Sequence, residues 1–422
     1  MAQLKDDCFA FGGELMRTDE AIRILKERTV AIVGSETVDL KGAPGRILAG
    51  DLIAGLNVPP HDNAAVDGYA VYFDDLNAKR ATTLPVTGRT AAGHALERPA
   101  RRGEALRIFT GGSMPTGDGD GGPDTVLMQE DCELEGESVV IPPGIKQGAN
   151  RRSAGEDIKA GAVILKKGHR LRPQDVALAA SVGATGLEVF ERLRVAVFST
   201  GDEIYEPGSE LPPGGIFDAN RYALFGLLET LGVAVTDLGI LEDRFESVRA
   251  ALAEAAESHD LLITSGGAST GDEDHIKAAV QALGRLHFWR LAIRPGRPLA
   301  LGQIGTVPFI GLPGNPVAVM VTFLRFARPL ILGLSGATET EPRSYRVPVD
   351  FDYKKKAGRR EWLRAKLVTG PGGGVSARKY AFDGAGILTS AVYADGLIEL
   401  PEEMDRLSKG TIVDFLPFNE LR

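Results

Sequence analysis

The middle of the chain alternates between short apolar runs and segments with the period of an amphipathic helix. The first run, Leu-Arg-Val-Ala-Val-Phe at 193–198, has the length and composition of a buried strand. Strands and helices of this size in alternation are typical of βαβ units, so we predict an α/β layer domain with a parallel sheet. The strands are predicted at about 193–198, 233–240, 261–264, 286–293, 298–303 and 307–311, and the helices at about 220–231, 245–258, 275–283 and from 316.

The segments that flank this region have shorter apolar runs between glycine-rich and proline-rich turns. Residues 83–143 show this pattern, which predicts a small β-rich module. A helix is predicted near the N-terminus, with Thr18 as its cap. After Gly336, strands are predicted at 345–351, 361–368 and 396–400. We therefore predict a multidomain α/β plus β protein, in which a central α/β layer domain is flanked by small β-rich domains and a C-terminal β-barrel.

The net charge of the protein limits the classes of ligand that it can bind. The 422 residues include 48 Lys and Arg against 57 Asp and Glu, which gives a formal net charge of −9. Because nucleic-acid backbones are bound through an excess of basic residues, we expect no nucleic-acid partner. A small anionic substrate is compatible with this charge if its site is locally basic.

Cysteine content and hydropathy indicate the compartment. Cys8 and Cys132 are too few for a disulfide framework or a thiolate metal site. The first residues are acidic and contain glycine, which is not the pattern of a signal peptide. The most apolar segment, 316–334, is interrupted by two arginines and a proline, so we predict that it does not span a membrane. Together these features predict a cytoplasmic protein without membrane contact.

Four loops that follow predicted strands of the α/β region are rich in glycine and polar residues. Because ligands of α/β folds gather beyond the carboxyl ends of the strands, we expect the four loops to converge on one site. Any single loop of this kind is more often a solvent-exposed turn, and only the four together favour a functional site. The loops are 200–203, 241–244, 265–274 and 311–316.

Two of these loops have the composition of anion-binding backbone. Glycine lets backbone N–H groups approach an oxyanion closely in the third loop. In the fourth loop, a proline at the first helical position leaves the positive end of the helix free for a phosphate. The residues concerned are Ser265, Gly266 and Gly267 in the third loop, and Pro313, Gly314 and Asn315 in the fourth.

The same loops carry several carboxylates. Carboxylates that converge without a cation repel one another, so a hard, oxygen-preferring ion such as Mg²⁺ is the natural counter-charge. The acids concerned are Glu203, Asp243, Asp272 and Asp274.

A basic segment follows at 288–298. Arg290 and Arg294 are four residues apart and share a face if the segment is extended, and Arg297 comes after a Pro-Gly turn. Guanidinium groups bind phosphate and other oxyanions in a bidentate manner. The alternative is an exposed basic strand that pairs with surplus acids of the protein.

Seven strings, taken together, resemble those of one family and run in the same order over nearly the whole chain. The family is the molybdopterin molybdotransferases, which insert molybdenum into the pterin dithiolene, together with the related C-terminal domain of gephyrin. Each string is weak alone, whereas the set is highly specific. The strings lie at 62–70, 108–111, 151–158, 198–203, 265–274, 295–298 and 311–316.

The resemblance implies four domains and an elongated homodimer whose active site lies between subunits. Domain I would be discontinuous, formed by residues 1–60 and 145–190, with the β-rich domain II (61–144) inserted in it. Domain III would be the α/β unit at 191–336, and domain IV the β-barrel at 337–422.

The resemblance also implies the reaction. The protein would bind adenylylated molybdopterin and molybdate, and AMP would leave as molybdenum is inserted, with Mg²⁺ held by some of Glu203, Asp243 and Asp274. Asp67 and Thr110 would reach in from the other subunit. The functional positions that match are Asp67, Thr110, Asp157, Glu203, Asp243, Asp274 and Arg364, with Arg290, Arg294 and Arg297 as the basic segment.

Departures and alternatives accompany this resemblance. The family commonly has Lys at the three basic positions, where this chain has Arg, and a Ser where this chain has Ala385.

One alternative is the molybdopterin adenylyltransferase, whose fold resembles domain III alone, and another is a non-catalytic scaffold related to gephyrin. A third is a generic phosphosugar-binding or nucleotide-binding α/β enzyme. The adenylyltransferase and molybdoenzyme maturation proteins are expected as partners.

Overall fold

A computed structural model gives the fold of residues 15–119, 121–266 and 275–421, which are the described residues of the chain. Contacts between residues divide the chain into two compact units. The smaller unit comprises Asp51–Lys166 and Arg172–Leu187, and the larger unit comprises the residues up to Gly50, Lys167–Leu171 and the residues from Glu188 on. The four-domain division implied by the resemblance stays a prediction.

Helices and strands are numbered in chain order. The helices are α1 (Thr18–Arg28), α2 (Pro173–Ser181), α3 (Ala219–Thr230), α4 (Phe245–Ser258), α5 (His275–Leu283), α6 (Pro316–Thr322), α7 (Arg328–Leu334) and α8 (Leu388–Tyr393). The strands up to the α/β region are β1 (Ser35–Asp39), β2 (Leu52–Ile53), β3 (Asn63–Ala64), β4 (Gly68–Val71), β5 (Thr82–Thr90), β6 (Ala105–Ile108), β7 (Thr125–Met128), β8 (Glu133–Glu135), β9 (Ser138–Ile141), β10 (Arg151–Arg152), β11 (Val163–Leu165) and β12 (Gly186–Phe190).

The remaining strands belong to the larger unit. They are β13 (Arg194–Thr200), β14 (Ile204–Tyr205), β15 (Ile216–Phe217), β16 (Ala234–Leu241), β17 (Leu261–Ser265), β18 (Gly284–Arg290), β19 (Ile293–Arg294), β20 (Pro298–Ile304), β21 (Val307–Leu312), β22 (Tyr345–Pro348), β23 (Tyr353–Lys354), β24 (Arg360–Thr369), β25 (Val375–Lys379), β26 (Gly396–Leu400), β27 (Arg406–Leu407) and β28 (Ile412–Pro417).

A six-stranded mixed sheet in the order β16-β13-β17-β21-β20-β18 forms the centre of the larger unit. The first four strands are parallel, which confirms the predicted βαβ alternation. The last two are antiparallel to their neighbours, so the prediction of an all-parallel sheet is wrong there. The reason is the connection from β20 to β21, because two residues, one of them Gly305 with φ +58°, can join only antiparallel neighbours.

Both faces of this sheet are buried. Val195, Val197 and Ile263 pack on one side with α3 and the helical segment after residue 316. Ala196 and Phe198, which alternate with them, pack on the other side against α4 and α5. Successive side chains of a strand point to opposite faces, so two covered faces explain the uninterrupted apolar runs of the sequence.

Helices α6 and α7 are continuous through the π-helical segment Phe323–Ala327. The predicted break at Pro329 is therefore wrong, and by length and composition Pro316–Leu334 could cross a membrane, with a mean hydropathy of 1.8. Pro329 lies in the first turn of α7, where the wider π-helical turn before it accommodates the missing N–H. The segment is 89% buried, and its apolar surface forms part of the core described above.

The C-terminal strands form a second sheet in the order β19-β24-β26-β28-β22, and β25 also pairs with β24. Leu363, Ile398 and Phe415 contribute to its core. The sheet curls into a half-barrel, in which Val349, just after β22, forms a bridge with Ala377 of β25. The predicted C-terminal β structure is thus present, as a half-barrel.

The smaller unit contains a six-stranded sheet in the order β7-β4-β6-β5-β9-β8. This sheet confirms the β-rich module predicted for residues 83–143. Val71, Leu84 and Ile141 are among the buried residues of its core.

The predicted cap of the first helix is wrong. Thr18 is the first residue of α1 rather than its cap, and Arg17 precedes the helix in an extended conformation. The N–H of Thr18 donates to Oε1 of Glu402 at 3.3 Å, so a carboxylate from a distant segment takes the place of the local cap.

Candidate functional site

The ends of four parallel strands lie side by side in the central sheet. Thr200 is in register with Leu241, and Ser265 is in register with both Ser199 and Leu312. The loops that follow these residues therefore start at one edge of the sheet, as predicted from the sequence.

The basic segment starts at the same edge. Arg290, the last residue of β18, pairs with Pro298 at the beginning of β20, and β20 runs antiparallel to β21. The end of β18 consequently lies at the edge where β21 ends. Five strand spacings of about 4.8 Å separate the end of β16 from the end of β18 along this edge.

The acidic end of the edge is formed by residues after β13 and β16. Asp243 is partly buried, and its pKa is raised by burial and by the neighbouring charges of Asp202 and Glu203, while His275 acts in the opposite direction. The structure therefore brings Glu203 and Asp243 within electrostatic reach of each other. A carboxylate in this environment is destabilised when it ionises, and a cation would relieve the cost.

A glycine conformation places Glu203. Gly201 has φ +136°, and a Cβ atom at this position would lie 2.7 Å from Oε2 of Glu203. The carboxylate of Glu203 thus occupies the space that any side chain at 201 would need.

The third carboxylate of the predicted metal site, Asp274, lies outside the described residues, as do Gly267 and Asp272. Within residues 15–119, 121–266 and 275–421, no group of three or more His, Cys, Asp or Glu side chains is arranged to hold a metal ion.

The two anion-binding loops use part of their backbone within the protein. The N–H of Gly266 donates to the carbonyl of Leu312 at 3.0 Å, and Ser265 is buried. The N–H of Val317 in the first turn of α6 donates to the carbonyl of Ala385 at 3.0 Å. These two N–H groups therefore donate to carbonyls of the protein, so they are not free to donate to a bound oxyanion.

The loop before α6 is held by a hydrogen bond from α3. Asn220 of α3 donates from Nδ2 to the carbonyl of Gly314 at 2.7 Å. Pro313 is buried, whereas Gly314 and Asn315 are exposed. The loop is thus held in place from one side, and two of its three predicted binding residues remain accessible.

The basic end of the edge is more complex than the sequence predicts. Arg294 is half exposed, and its guanidinium lies 3.5 Å from Glu361. Burial lowers its pKa, but the charges of Glu361 and Asp383 and the hydrogen bond to Glu361 outweigh burial and raise it. Arg290 and Arg297 are exposed.

Arg364 lies in the same cluster and is buried. Its guanidinium donates to Oγ of Ser390 at 2.9 Å and to the carbonyls of Phe382 and Gly384 at 3.3 Å. Burial lowers its pKa, Asp383 acts in the opposite direction, and Arg294 lowers it further. The cluster thus combines the two guanidinium groups of Arg294 and Arg364 with the carboxylates of Glu361 and Asp383.

The acids and the arginines lie at different places along the edge. Asp243 has Asp202, Glu203 and His275 as charged neighbours, whereas Arg294 has Glu361 and Asp383. That the acids and the arginines meet around one ion stays a prediction.

Several residues of these clusters escape sequence reasoning. Glu361, Tyr353 and Asp383 come from the C-terminal half-barrel, and Tyr353 donates its hydroxyl to Glu361 at 3.0 Å. The available signal is Arg-Glu-Trp-Leu-Arg at 360–364, because charged residues inside a buried strand require partners.

In the smaller unit, Asp67 and Thr110 form a pair. Both the N–H and the Oγ–H of Thr110 donate to Oδ1 of Asp67 at 2.8 Å, and these hydrogen bonds lower the pKa of Asp67. The turn is shaped by Gly111, whose φ is +77°. Asp157 is exposed, and its N–H donates to the carbonyl of Val58 at 3.0 Å.

Comparison with known proteins gives matches along most of the chain. Family models described as MoeA N-terminal region (domain I and II), probable molybdopterin binding domain, and MoeA C-terminal region (domain IV) match residues 16–183, 196–333 and 346–418, respectively.

Two similar proteins carry the same name. A molybdopterin molybdenumtransferase of Haemophilus influenzae is 36% identical over 409 residues, which are 96% of this chain and 100% of that protein. A protein of the same name from Nostoc sp. is 37% identical over 347 residues, 80% of this chain and 78% of that protein. The crystal structure of the molybdopterin biosynthesis moeA protein from Pyrococcus horikoshii OT3 has a TM-score of 0.82 at 28% identity, covering 96% and 100% of the two chains.

Proposed function

The chain belongs to the molybdopterin molybdenumtransferase family and is a transferase of molybdenum cofactor biosynthesis, and we propose that it inserts molybdenum from molybdate into adenylylated molybdopterin with release of AMP. In this reaction the phosphoanhydride bond between the adenylate and the pterin phosphate breaks. The substrates are strongly anionic, so the site must supply positive charge where phosphate and molybdate bind.

The observation that carries the proposal is the segregation of charge along the edge of the central sheet. Arg290 and the Arg294–Arg364 cluster lie at one end, and Glu203 and Asp243 lie at the other. We assign molybdate and the terminal phosphate to the arginines, because guanidinium groups bind oxyanions and stay charged. Ser265, Gly266, Gly267, Pro313, Gly314 and Asn315 stay predicted as the intervening contacts.

Mg²⁺ belongs to the proposal as the counter-charge at the acidic end. The raised pKa of Asp243 beside Asp202 and Glu203 fits a hard cation, which all-oxygen ligands prefer. Glu203, Asp243 and Asp274 would hold the ion, and it would neutralise charge on the phosphate oxygens. The acids would position the ion, and the arginines would hold molybdate and the terminal phosphate.

A homodimer is the second part of the proposal. The Asp67–Thr110 pair of the second subunit would complete the site, and Asp157 stays a predicted functional residue.

We also propose that the protein acts in the cytoplasm and receives its substrate from a molybdopterin adenylyltransferase. The free thiol of Cys132 agrees with a reducing compartment, while Cys8 lies outside the described residues.

The test mixes the purified protein with adenylylated molybdopterin, molybdate and Mg²⁺. We expect AMP release and active cofactor, and we expect Asp243→Asn and Asp274→Asn to slow AMP release about tenfold or more without loss of folding. Glu254→Gln, an exposed charge on α4, serves as the matched control. Absence of both products from the wild-type protein would remove the proposal.

Two other outcomes would point elsewhere. Unchanged turnover in both aspartate variants would make these carboxylates structural. ATP consumption with molybdopterin in the absence of molybdate would support the adenylyltransferase instead.

A further inference from the structure

Both hydrogen-bond donors of Thr110 are satisfied within the Asp67–Thr110 pair. Thr110 has two hydrogen-bond donors, its backbone N–H and its hydroxyl, and both donate to the same oxygen, Oδ1 of Asp67. A threonine hydroxyl carries one proton, so only lone pairs of its oxygen remain for a ligand. Oδ2 of Asp67 receives no hydrogen bond from the described residues.

The pair is therefore a site that only accepts hydrogen bonds. An ionised carboxylate has no proton to give, and the donors of Thr110 keep Asp67 ionised. Molybdate and phosphate oxygens also accept hydrogen bonds and carry negative charge, so they are poor ligands for this pair. A group with two adjacent donors matches the two acceptor atoms, Oδ2 of Asp67 and Oγ1 of Thr110.

The backbone holds these acceptors in fixed positions. A Cβ atom on Gly68 would lie 1.7 Å from the carbonyl oxygen of Leu127, so the strand after Asp67 approaches its neighbour as only glycine allows. The backbone N–H of Gly111, after Thr110, donates to the carbonyl of Ala64 at 2.9 Å.

A group of aromatic rings and guanidinium groups lies on the same sheet. The guanidinium of Arg107 is 5.1 Å from the ring centre of Tyr69 and 4.8 Å from that of Phe109. Arg89, the register partner of Arg107, is exposed and lies 4.7 Å from the ring centre of Phe109. Such alternating rings and guanidinium planes stack against planar heterocycles.

We propose that the Asp67–Thr110 pair binds the amino-bearing edge of the substrate's pterin ring, with the ring lying against the Arg89–Phe109–Arg107 surface. A pterin presents its 2-amino group and the neighbouring ring N–H side by side, which are two adjacent donors. This inference deepens the proposed function and rests on it for the identity of the ligand. It concerns the pterin ring alone and leaves the assignment of phosphate and molybdate to the arginines unchanged.

The test compares two stable probes with the full-length protein, pterin and lumazine. Lumazine has the same ring system with an oxygen in place of the 2-amino group, so an acceptor replaces a donor. We expect the wild-type protein to bind pterin about tenfold to a hundredfold more tightly, as measured by quenching of probe fluorescence. Equal affinities, or no binding of pterin, would overturn the inference.

Asp67→Asn gives the sharper readout. The donors of Thr110 require an acceptor, so the amide oxygen takes the position of Oδ1 and the NH₂ group takes that of Oδ2. A donor then stands where an acceptor stood, and the preference for pterin should fall at least about tenfold or reverse towards lumazine. A residue with a merely structural role would weaken both probes alike, which would also overturn the inference.

A control variant and a competition experiment complete the test. Asp74→Asn, an exposed aspartate of the same unit, should keep the wild-type preference. If AMP displaces pterin from the wild-type protein, the adenine amino group occupies the pair and the inference fails.

The AMP-release assay on the same samples distinguishes the two proposals. AMP release by the wild-type protein together with an unchanged preference in Asp67→Asn refutes the pterin inference alone. A reversed preference without AMP release by the wild-type protein supports the binding inference and refutes the proposed reaction.

Discussion

Two aspartates of the candidate site have pKa values shifted in opposite directions. Hydrogen bonds from Thr110 lower the pKa of Asp67, whereas burial and the charges of Asp202 and Glu203 raise that of Asp243. The first environment stabilises a bare carboxylate, and the second requires a proton or a cation. The sequence alone cannot distinguish the two, because Thr110 is 43 residues from Asp67 and only the resemblance suggests the pair.

The raised pKa of Asp243 predicts that Mg²⁺ binding depends on pH. A cation competes with the proton, so affinity should fall as the pH falls through the raised pKa and be regained above it. Titration calorimetry at about pH 5 and about pH 7.5 measures this change. Asp243→Asn should lose most of both the affinity and its pH dependence, while Glu254→Gln should retain them. Equal affinities at the two pH values would contradict the prediction.

Gly201 and Gly208, which lie before and after β14, form a matched pair of glycines with positive φ. Both have a φ that disfavours side chains, +136° and +93°, but only a Cβ on Gly201 would meet Glu203. We expect alanine to lower the free energy of unfolding by about 1–3 kcal/mol at either position. AMP release should fall only in Gly201→Ala, because that variant displaces the Glu203 carboxylate. Equal loss of activity in both variants would show that backbone strain, not Glu203, is responsible.

At the scale of elements, hydrophobic periodicity predicts well where the helices and strands lie, but less well whether neighbouring strands pair in parallel or antiparallel. The strand predicted at 261–264 is Leu261–Ser265, and the helix predicted at 220–231 is Ala219–Thr230. The apolar runs of β20 and β21 resemble those of the parallel strands, since both sheet faces are covered. The two-residue turn between them was the available sign of antiparallel pairing.

Glu104 ties the segment before β6 to β5 in the smaller unit. Burial raises its pKa, but donors from Arg98, Thr87 and the N–H of Arg101 outweigh burial and lower the pKa from 4.5 to about 2. This shift corresponds to about 3 kcal/mol of stability, present above the unfolded-state pKa and lost as the pH falls from about 4.5 to about 2.

Replacement of Glu104 should therefore weaken β5 and β6. We expect Glu104→Gln to lower the opening free energy of residues 82–108 by about 2–3 kcal/mol near pH 7, and by little near pH 2. Hydrogen–deuterium exchange of this region measures the effect. Glu97→Gln, an exposed acid of the same connection, is the control, and an equal effect in both variants would argue against the buried network.

For the whole molecule, the resemblance was needed to connect distant segments. Local patterns predict the four strand-end loops, and the register of the central sheet brings their starting points to one edge. Arg294 and its partner Glu361 are 67 residues apart, and no periodicity relates them. The half-barrel therefore contributes charges that only a three-dimensional structure can place beside the basic segment.

The proposed homodimer predicts complementation between inactive variants. If Asp67 of one subunit serves the site at Asp243 of the other, a mixed dimer of Asp67→Asn and Asp243→Asn keeps one intact site. Random association makes half of the dimers mixed, so co-expression should restore about a quarter of wild-type AMP release. Light scattering checks the dimer itself. A dimer without restored activity would place both residues in the same subunit's site.

The apolar helix Pro316–Leu334 has a consequence for the protein while it is being made. Before the strands that cover it have been assembled, the nascent segment has the length and hydropathy of a sequence that the membrane-insertion machinery accepts. Each arginine near the middle of such a segment costs roughly 2.5–3.5 kcal/mol to insert. Arg325 and Arg328, which end up buried, thus discourage mistargeting of the emerging chain, and hydrophobic replacements that suit the finished core would remove this safeguard.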